Sequence, residues 1–506
     1  MLDLTIIPSA NADLPAAPMV LRHLIGGDWV DSADGAMTER ASPAHGVPVS
    51  RAARGGKVEA EAAIAAARSA FDAGHWPQRS GKDRATLLLK VADLIDRDRA
   101  AIARQETLES GKPISQAMAE IEGAADIWRY AAALARTLHG DSHNTLGPDM
   151  LGLVLKEPIG VVSLIAPWNF PFLIISQKLP FALAAGCTAV VKPSELTPGT
   201  TVMLGGLLQE AGLPEGVVNI VLGFGDPVGE ILTTDPRVDM VSFTGSTGVG
   251  KRITAAASAT LKKVSLELGG KNPQVIFPDA DLDQAADAIV FGVYFNAGEC
   301  CNSGSRIIVH DDVAEALTAK VVALSRRVPF GDPLDPATQV GAIISPDHLS
   351  KIDGYVQAAV ADGAKVALGG AALEVSGLGS QFYQPTIVTH VRPDMPIARE
   401  EVFGPVLSVL TFKTADEAIA LANTAAYGLS AGVWSRDMST CLDFARRVQA
   451  GTVWTNTWMD GFSELPFGGV KESGQGRELG RYGIEEYLEV KTVQMRIGNT
   501  RGAWVA

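Results

Sequence analysis

The sequence predicts an α/β fold built from two parallel-sheet lobes, and three observations carry that expectation. Short β-rich runs alternate with helical stretches from Val154 onward, and the alternation restarts after Gly270. At 506 residues the chain also exceeds what one hydrophobic core organises, so that at roughly 150 residues per lobe it divides into two to four.

The elements follow in order. From Lys57 to Arg136 the chain is Ala-rich, with Leu87, Leu88, Val91, Leu94 and Ile95 at helical spacing, which predicts two or three long amphipathic scaffold helices. Then come the strand-like runs VVSLIA, TAVVKP, VVNIVLG, DMVSFTG and KKVSLELG, with helical segments between them. That order places helices over a parallel sheet. After Gly270 the pattern resumes with PQVIF, a helix from Leu282 to Phe295, the strand SRIIVH and a helix from Val313 to Arg326. Pro329 to Ile344 is rich in Pro, Gly and Asp and reads as a long ordered loop. Tyr487 to Ile497 alternates like a strand with no neighbour in sequence, so its partner is another segment or another subunit.

Composition narrows the function. Lys plus Arg number 43 against 57 Asp plus Glu, and the net charge of -14 repels nucleic acid and anionic membrane surfaces. The first twenty residues lack a basic n-region, and the apolar stretch Leu151 to Phe172 is interrupted by Lys156, Glu157 and prolines. A cytoplasmic protein without membrane or nucleic-acid partners is expected. Four cysteines, two of them adjacent, form neither a disulfide framework nor a zinc spacing.

Three segments carry chemistry. Cys301 lies in FNAGECCNSGSR, on a loop between a helix and a strand, where catalytic groups are commonly presented. A free thiol, with a pKa near ~8.5, needs a base or a positive potential to react at neutral pH. The loop alone reads equally as two small buried hydrophobes. Glu267 ends a strand in LELGGKNP, and Gly269 with Gly270 allows close backbone approach to a bound group, which makes Glu267 a candidate general base. Taken singly it reads as an exposed strand-end carboxylate. Asn169, in APWNFP between Trp168 and Phe170, has its backbone fixed by flanking prolines and suits an amide donor to an oxyanion, or else a turn.

Two further segments are placed for a nucleotide. KPSE, from Lys192 to Glu195, follows the strand TAVV at its carboxyl end, where open α/β sheets bind such ligands. FTGSTGVG, from Phe243 to Gly250, opens a helix whose unpaired N–H groups suit a pyrophosphate, although its spacing is not G-x-G-x-x-G.

Together these segments resemble the aldehyde dehydrogenase superfamily, from IGGDW at Ile25 to KTVQ at Lys491. The resemblance implies Cys301 as nucleophile, Glu267 as activator of the hydrolytic water, and Asn169 with the cysteine N–H as oxyanion holder. The register selects Cys301 over Cys300, because the nucleophile is the second residue after the Gln or Glu that follows the loop glycine. Many relatives have Gln at Glu299. The resemblance puts Lys192 and Glu195 at the adenosine ribose, Gly245, Ser246 and Gly250 at the pyrophosphate, and Glu401 and Phe403 at the nicotinamide, with Trp168 also on the cofactor side. A carboxylate at the ribose favours NAD, with NADP left open. Phe170, Gln177, Phe295, Trp458 and Phe467 map to the substrate tunnel. No metal is required.

The implied architecture is a Rossmann-like cofactor lobe (1–139 and 161–268), an α/β catalytic lobe (269–478) and a small bridging β element (140–160 and 479–506) that joins subunits into homodimers or homotetramers. The implied reaction takes a small-molecule aldehyde to its carboxylic acid through a thiohemiacetal and a thioester on Cys301. Two alternatives stand beside it: a CoA-acylating semialdehyde dehydrogenase, against which Glu267 weighs, and a non-catalytic binding protein. The aldehyde itself is left open, because an aromatic tunnel suits amino- or trimethylammonium aldehydes through cation–π contacts and aliphatic or aromatic ones through packing.

Overall fold

The computed structural model describes residues 4–9, 14–498 and 504–505. The five apolar runs of the first half are strands, Val161–Ile165, Thr188–Lys192, Val218–Ile220, Met240–Thr244 and Lys263–Glu267, and all run parallel in one sheet. The central ones are buried on both faces, which explains their unbroken apolar character. From Val161–Ile165 the chain winds out through Thr188–Lys192 to Val218–Ile220, then returns to the opposite side through Met240–Thr244 to Lys263–Glu267. The reversal between Val161–Ile165 and Met240–Thr244 is a topological switch point, which opens a crevice at the carboxyl ends of the strands. Antiparallel edges, Gly474–Gln475 on one side and His23–Ile25 with Asp28–Val30 on the other, complete eight strands.

The scaffold helices are Lys57–Asp72, Gly81–Ser110 and Ile114–Thr137. The longest begins where Ser80 accepts from the Asp83 N–H and ends at Gly111, whose φ of 81° supplies a left-handed cap. Its Leu88, Val91 and Ile95 share one core with Trp128, Phe172 and Phe181.

The second sheet has seven strands: Lys365–Leu368, Thr386–Thr389, Val406–Phe412, Arg306–His310, Pro273–Ile276, Ser430–Trp434 and Thr452–Thr455. Only the first is antiparallel. Leu282–Tyr294, capped by Asp281, and Asp311–Ser325 are among its helices. The strand Leu488–Arg496 finds its partner within the chain, running antiparallel to Met150–Pro158, which also pairs with Asp141–His143. Two pairings cross the sequence divisions: Gly474–Gln475 adds to the first sheet, and Ile6–Ile7 pairs with Phe330–Gly331 inside the loop after Pro329. Among the described residues no helix is long and apolar enough to cross a membrane.

Candidate active site

Strand ends decide where the chemistry-bearing residues go. Past Ile165 the chain turns through Pro167, and Pro171 starts the helix Pro171–Ala185, which holds Asn169 in a short, 4% exposed bend. Glu267 closes its strand and is likewise 4% exposed. Cys301 lies between the helix Leu282–Tyr294 and the strand Arg306–His310, at the amino edge of the second sheet and facing the carboxyl edge of the first.

All three meet in one cavity with Trp168, Glu401 and Phe403, leaving about 210 Å³ for the centre of a water molecule. An adjoining cavity of about 690 Å³ takes in Lys192, Glu195, Gly245 and Ser246. Both are walled by Pro167, Trp168, Thr244, Gly245 and Ser246, so they lie end to end along the switch point.

The two thiols differ. Cys300 is buried against Phe170 and Ile174, with its Sγ 2.8 Å from Asn302 Oδ1. Cys301 is partly exposed to the cavity, and its carbonyl is held by Asn272 Nδ2 at 2.8 Å. A hydrogen bond with Cys300, then burial, hold the Cys301 thiol well above its ordinary value. Among the described residues neither carboxylate oxygen of Glu267 has a hydrogen-bond partner. Burial first, then the Glu478 charge, push Glu267 well above the usual carboxylate range, against the opposing effect of Lys178. A carboxyl so raised takes up a proton more readily than an ordinary one, as a general base must.

The crevice fits a dinucleotide. Lys192 is buried, which pushes its ammonium pKa down, and it donates to the Pro193 carbonyl at 3.0 Å and lies 3.9 Å from Glu195. Ammonium and half-exposed carboxylate offer a donor and an acceptor to a hydroxylated ring. No side chain caps the helix Thr247–Ala257 at Ser246, so its first N–H groups are free for an anion. At the other end Glu401 accepts from the Gly270 N–H at 3.0 Å, and burial pushes it up to about 7. Phe403, at a left-handed φ of 60°, sets its ring edge-on to Trp168 at 5.4 Å.

The model of the aldehyde dehydrogenase family matches residues 29–493. The chain belongs to that family. It is similar to betaine aldehyde dehydrogenase of Bacillus subtilis (strain 168), 43% identical over 93% of this chain and 96% of the relative. An NAD-dependent aldehyde dehydrogenase from Sinorhizobium meliloti superposes with a TM-score of 0.97 at 51% identity, covering 99% of both chains. The Staphylococcus aureus betaine aldehyde dehydrogenase in complex with NAD+ superposes at 0.94, with 39% identity over 96% of this chain and 97% of that one. This aldehyde dehydrogenase therefore uses NAD and oxidises an aldehyde to the carboxylic acid.

Within the dehydrogenase, two expected positions fall elsewhere. Gly250 does not face the crevice: a Cβ there would lie 2.7 Å from the Leu268 side chain, so the glycine serves close packing of helix on strand. Trp458 is buried in the second lobe, 4.8 Å from Trp454 and over Gly292, Gly304 and Gly432. Its neighbour Met459, at a left-handed φ of 62°, turns instead into the apolar cluster of Phe170, Ile174, Cys300, Leu173 and Phe295. Phe170 and Phe295 stack there, 6.0 Å apart. Gln177 is half-buried on the helix Pro171–Ala185, one turn past Ile174, and Phe467 packs against the scaffold-helix core. Gly269, which lines the cavity, and Gly270 also let protein approach closely: a Cβ would come within 2.4 Å of a Glu401 oxygen or 2.6 Å of the Cys301 carbonyl.

Sequence reasoning missed several groups. Lys178 is bonded to Glu478 and to Ser242 Oγ, and both charged residues act on Glu267. Lys178 sits four residues after Ile174 as the one charged residue of its helix, a signal for a buried, paired charge. His348 and Lys351 line the cavity, and Phe243 and Arg252 the adjoining one. His348 donates to the Phe403 carbonyl at 2.6 Å, and burial pushes it down to about 4. No local motif announced His348, Lys351 or Arg252, which lie outside the segments singled out in the sequence, whereas Phe243 opens the FTGSTGVG run.

Proposed function

We propose that Cys301 is the nucleophile, Asn169 the oxyanion donor and Glu267 the base that activates water against the acyl-enzyme. The observation that carries this reading is that all three side chains wall one cavity with Glu401 and Phe403. Cys301 Sγ attacks the aldehyde carbon and forms a thiohemiacetal, whose oxygen lies toward the Asn169 amide and the Cys301 N–H. A preorganised donor of this kind contributes about 3 to 4 kcal/mol. NAD, when bound, supplies the hydride acceptor. Lys192, Glu195, Gly245 and Ser246 hold its adenosine and pyrophosphate end, and Glu401, Phe403 and Trp168 the nicotinamide end. Glu267 then takes a proton from water, and the resulting hydroxide displaces Cys301 as thiolate, releasing the acid.

The base supports hydrolysis rather than transfer to CoA, since only water attack needs a proton acceptor of this kind. The apolar cluster of Phe170, Ile174, Leu173, Phe295, Cys300 and Met459 supports an aldehyde with an apolar tail. The strand Leu488–Arg496, with Val490 65% exposed, is the edge offered for a homodimer or homotetramer. The charge balance and the four free cysteines support a cytoplasmic location. The test is Cys301→Ala against Cys300→Ala, assayed for NADH and acid without CoA. The first is expected to abolish both products and the second to spare them; the reverse result, or a requirement for CoA, overturns the assignment.

A further inference from the structure

Three consecutive residues before the nucleophile loop, Asn296, Ala297 and Gly298, take left-handed φ values of 51°, 56° and 74°. Two of them are not glycine, and such a run persists only where its surroundings hold it. Gly298 is required, because a Cβ there would lie 2.2 Å from the Gly404 carbonyl oxygen. Asn296 is different: it tolerates the left-handed region better than most residues, but its side chain is what the neighbourhood uses. It is 4% exposed, and its Nδ2 donates to the Asn169 carbonyl at 3.2 Å and to the Glu299 carbonyl at 3.0 Å. Both partners are carbonyl oxygens, which fixes the orientation of the amide. The Glu299 carbonyl also accepts one N–H of the Asn169 amide, at 3.0 Å. The Asn296 backbone is pinned in turn, its N–H donating to Gln116 Oε1 at 3.0 Å and its carbonyl accepting the Glu299 N–H at 2.9 Å.

From this geometry we infer that Asn296 is a positioning residue for the oxyanion hole. It clamps the two carbonyls that bracket Asn169, its own backbone and that of Glu299, so that one Asn169 N–H is consumed by Glu299 and the other is left to face the Cys301 cavity. Without the clamp the Glu299 carbonyl and the Asn169 loop move independently, and the free N–H loses its aim. The inference rests on the reading of Asn169 as oxyanion donor.

The test uses the full-length enzyme with NAD. Asn296→Gly keeps the left-handed backbone and removes the amide; Asn296→Asp keeps volume and backbone preference and serves if the glycine variant does not fold. Single-turnover NADH formation is expected to fall on the order of 10- to 100-fold. Alkylation of Cys301 by iodoacetamide, which needs no oxyanion donor, is expected to stay within about twofold. The double variant Asn169→Ala/Asn296→Gly is expected to be no slower than Asn169→Ala alone. NADH formation within twofold of the parent, an equal loss of alkylation, or a double variant slowed by the product of the single effects overturns the proposal. Undiminished turnover in Asn169→Ala alone would instead remove the reading on which it rests.

Discussion

Gly269 stands so close to Glu401 that a Cβ on it would lie 2.4 Å from a carboxylate oxygen, while the next residue, Gly270, donates its N–H to the same carboxylate at 3.0 Å. Glu401 is therefore seated by the backbone that follows Glu267, so one short segment carries Glu267 and holds Glu401.

Gly269→Ala is accordingly expected to displace Glu401. The Michaelis constant for NAD should rise about tenfold, the equivalent of one lost charge-assisted hydrogen bond. Thiol alkylation should not change. Steady-state kinetics and NADH fluorescence titration check this, and unchanged NAD affinity would separate Glu401 from the cofactor.

Glu267→Gln removes the proposed base and keeps the shape. Acid release is expected to slow more than the first burst of NADH, so that acyl-enzyme accumulates. In the parent, the acid limb of the deacylation rate should lie well above the usual carboxylate range, because burial and Glu478 raise Glu267. Rapid-quench measurement across pH checks both; equal slowing of the two steps counts against the base.

The same shift predicts a stability effect. In the folded state Glu267 holds its proton more tightly than in the unfolded chain. Its contribution is thus fully present below about pH 4.3 and is lost as pH rises through the raised folded value. Glu267→Gln should melt at a higher temperature than the parent at pH 8 and converge with it near pH 4, as thermal denaturation at each pH will show.

Met459→Ala tests the apolar cluster. Loss of a partly buried methionine contact worth about 1.5 kcal/mol should lower kcat/KM for hexanal about tenfold and leave acetaldehyde within twofold. Trp458→Phe should change stability rather than chain-length preference, since Trp458 packs on Trp454 away from that cluster. A panel of aldehydes distinguishes the two.

Local sequence was enough for much of this enzyme. Both lobes were legible, because strands buried on two faces must be apolar runs, and Val161–Ile165 to Lys263–Glu267 are such runs. Cys301, Glu267 and Asn169 were candidates from their places on a loop, at a strand end and between prolines, but each also had a packing or turn reading, and their roles came from the family resemblance. Strands such as Lys365–Leu368 and the edge pair His23–Ile25 with Asp28–Val30 went unread, since short or exposed edges carry little pattern. Only the tertiary structure decided which glycine packs and which approaches a ligand-side group, that Met459 rather than Trp458 turns into the cluster, and that Leu488–Arg496 pairs with Met150–Pro158. It also brought Lys178, Glu478 and Asn296 to the site. The physical reason is one of range. Burial and periodicity act over a few neighbouring residues and are written into composition, whereas direction, pairing and electrostatic coupling depend on groups hundreds of positions apart that only the folded chain brings together.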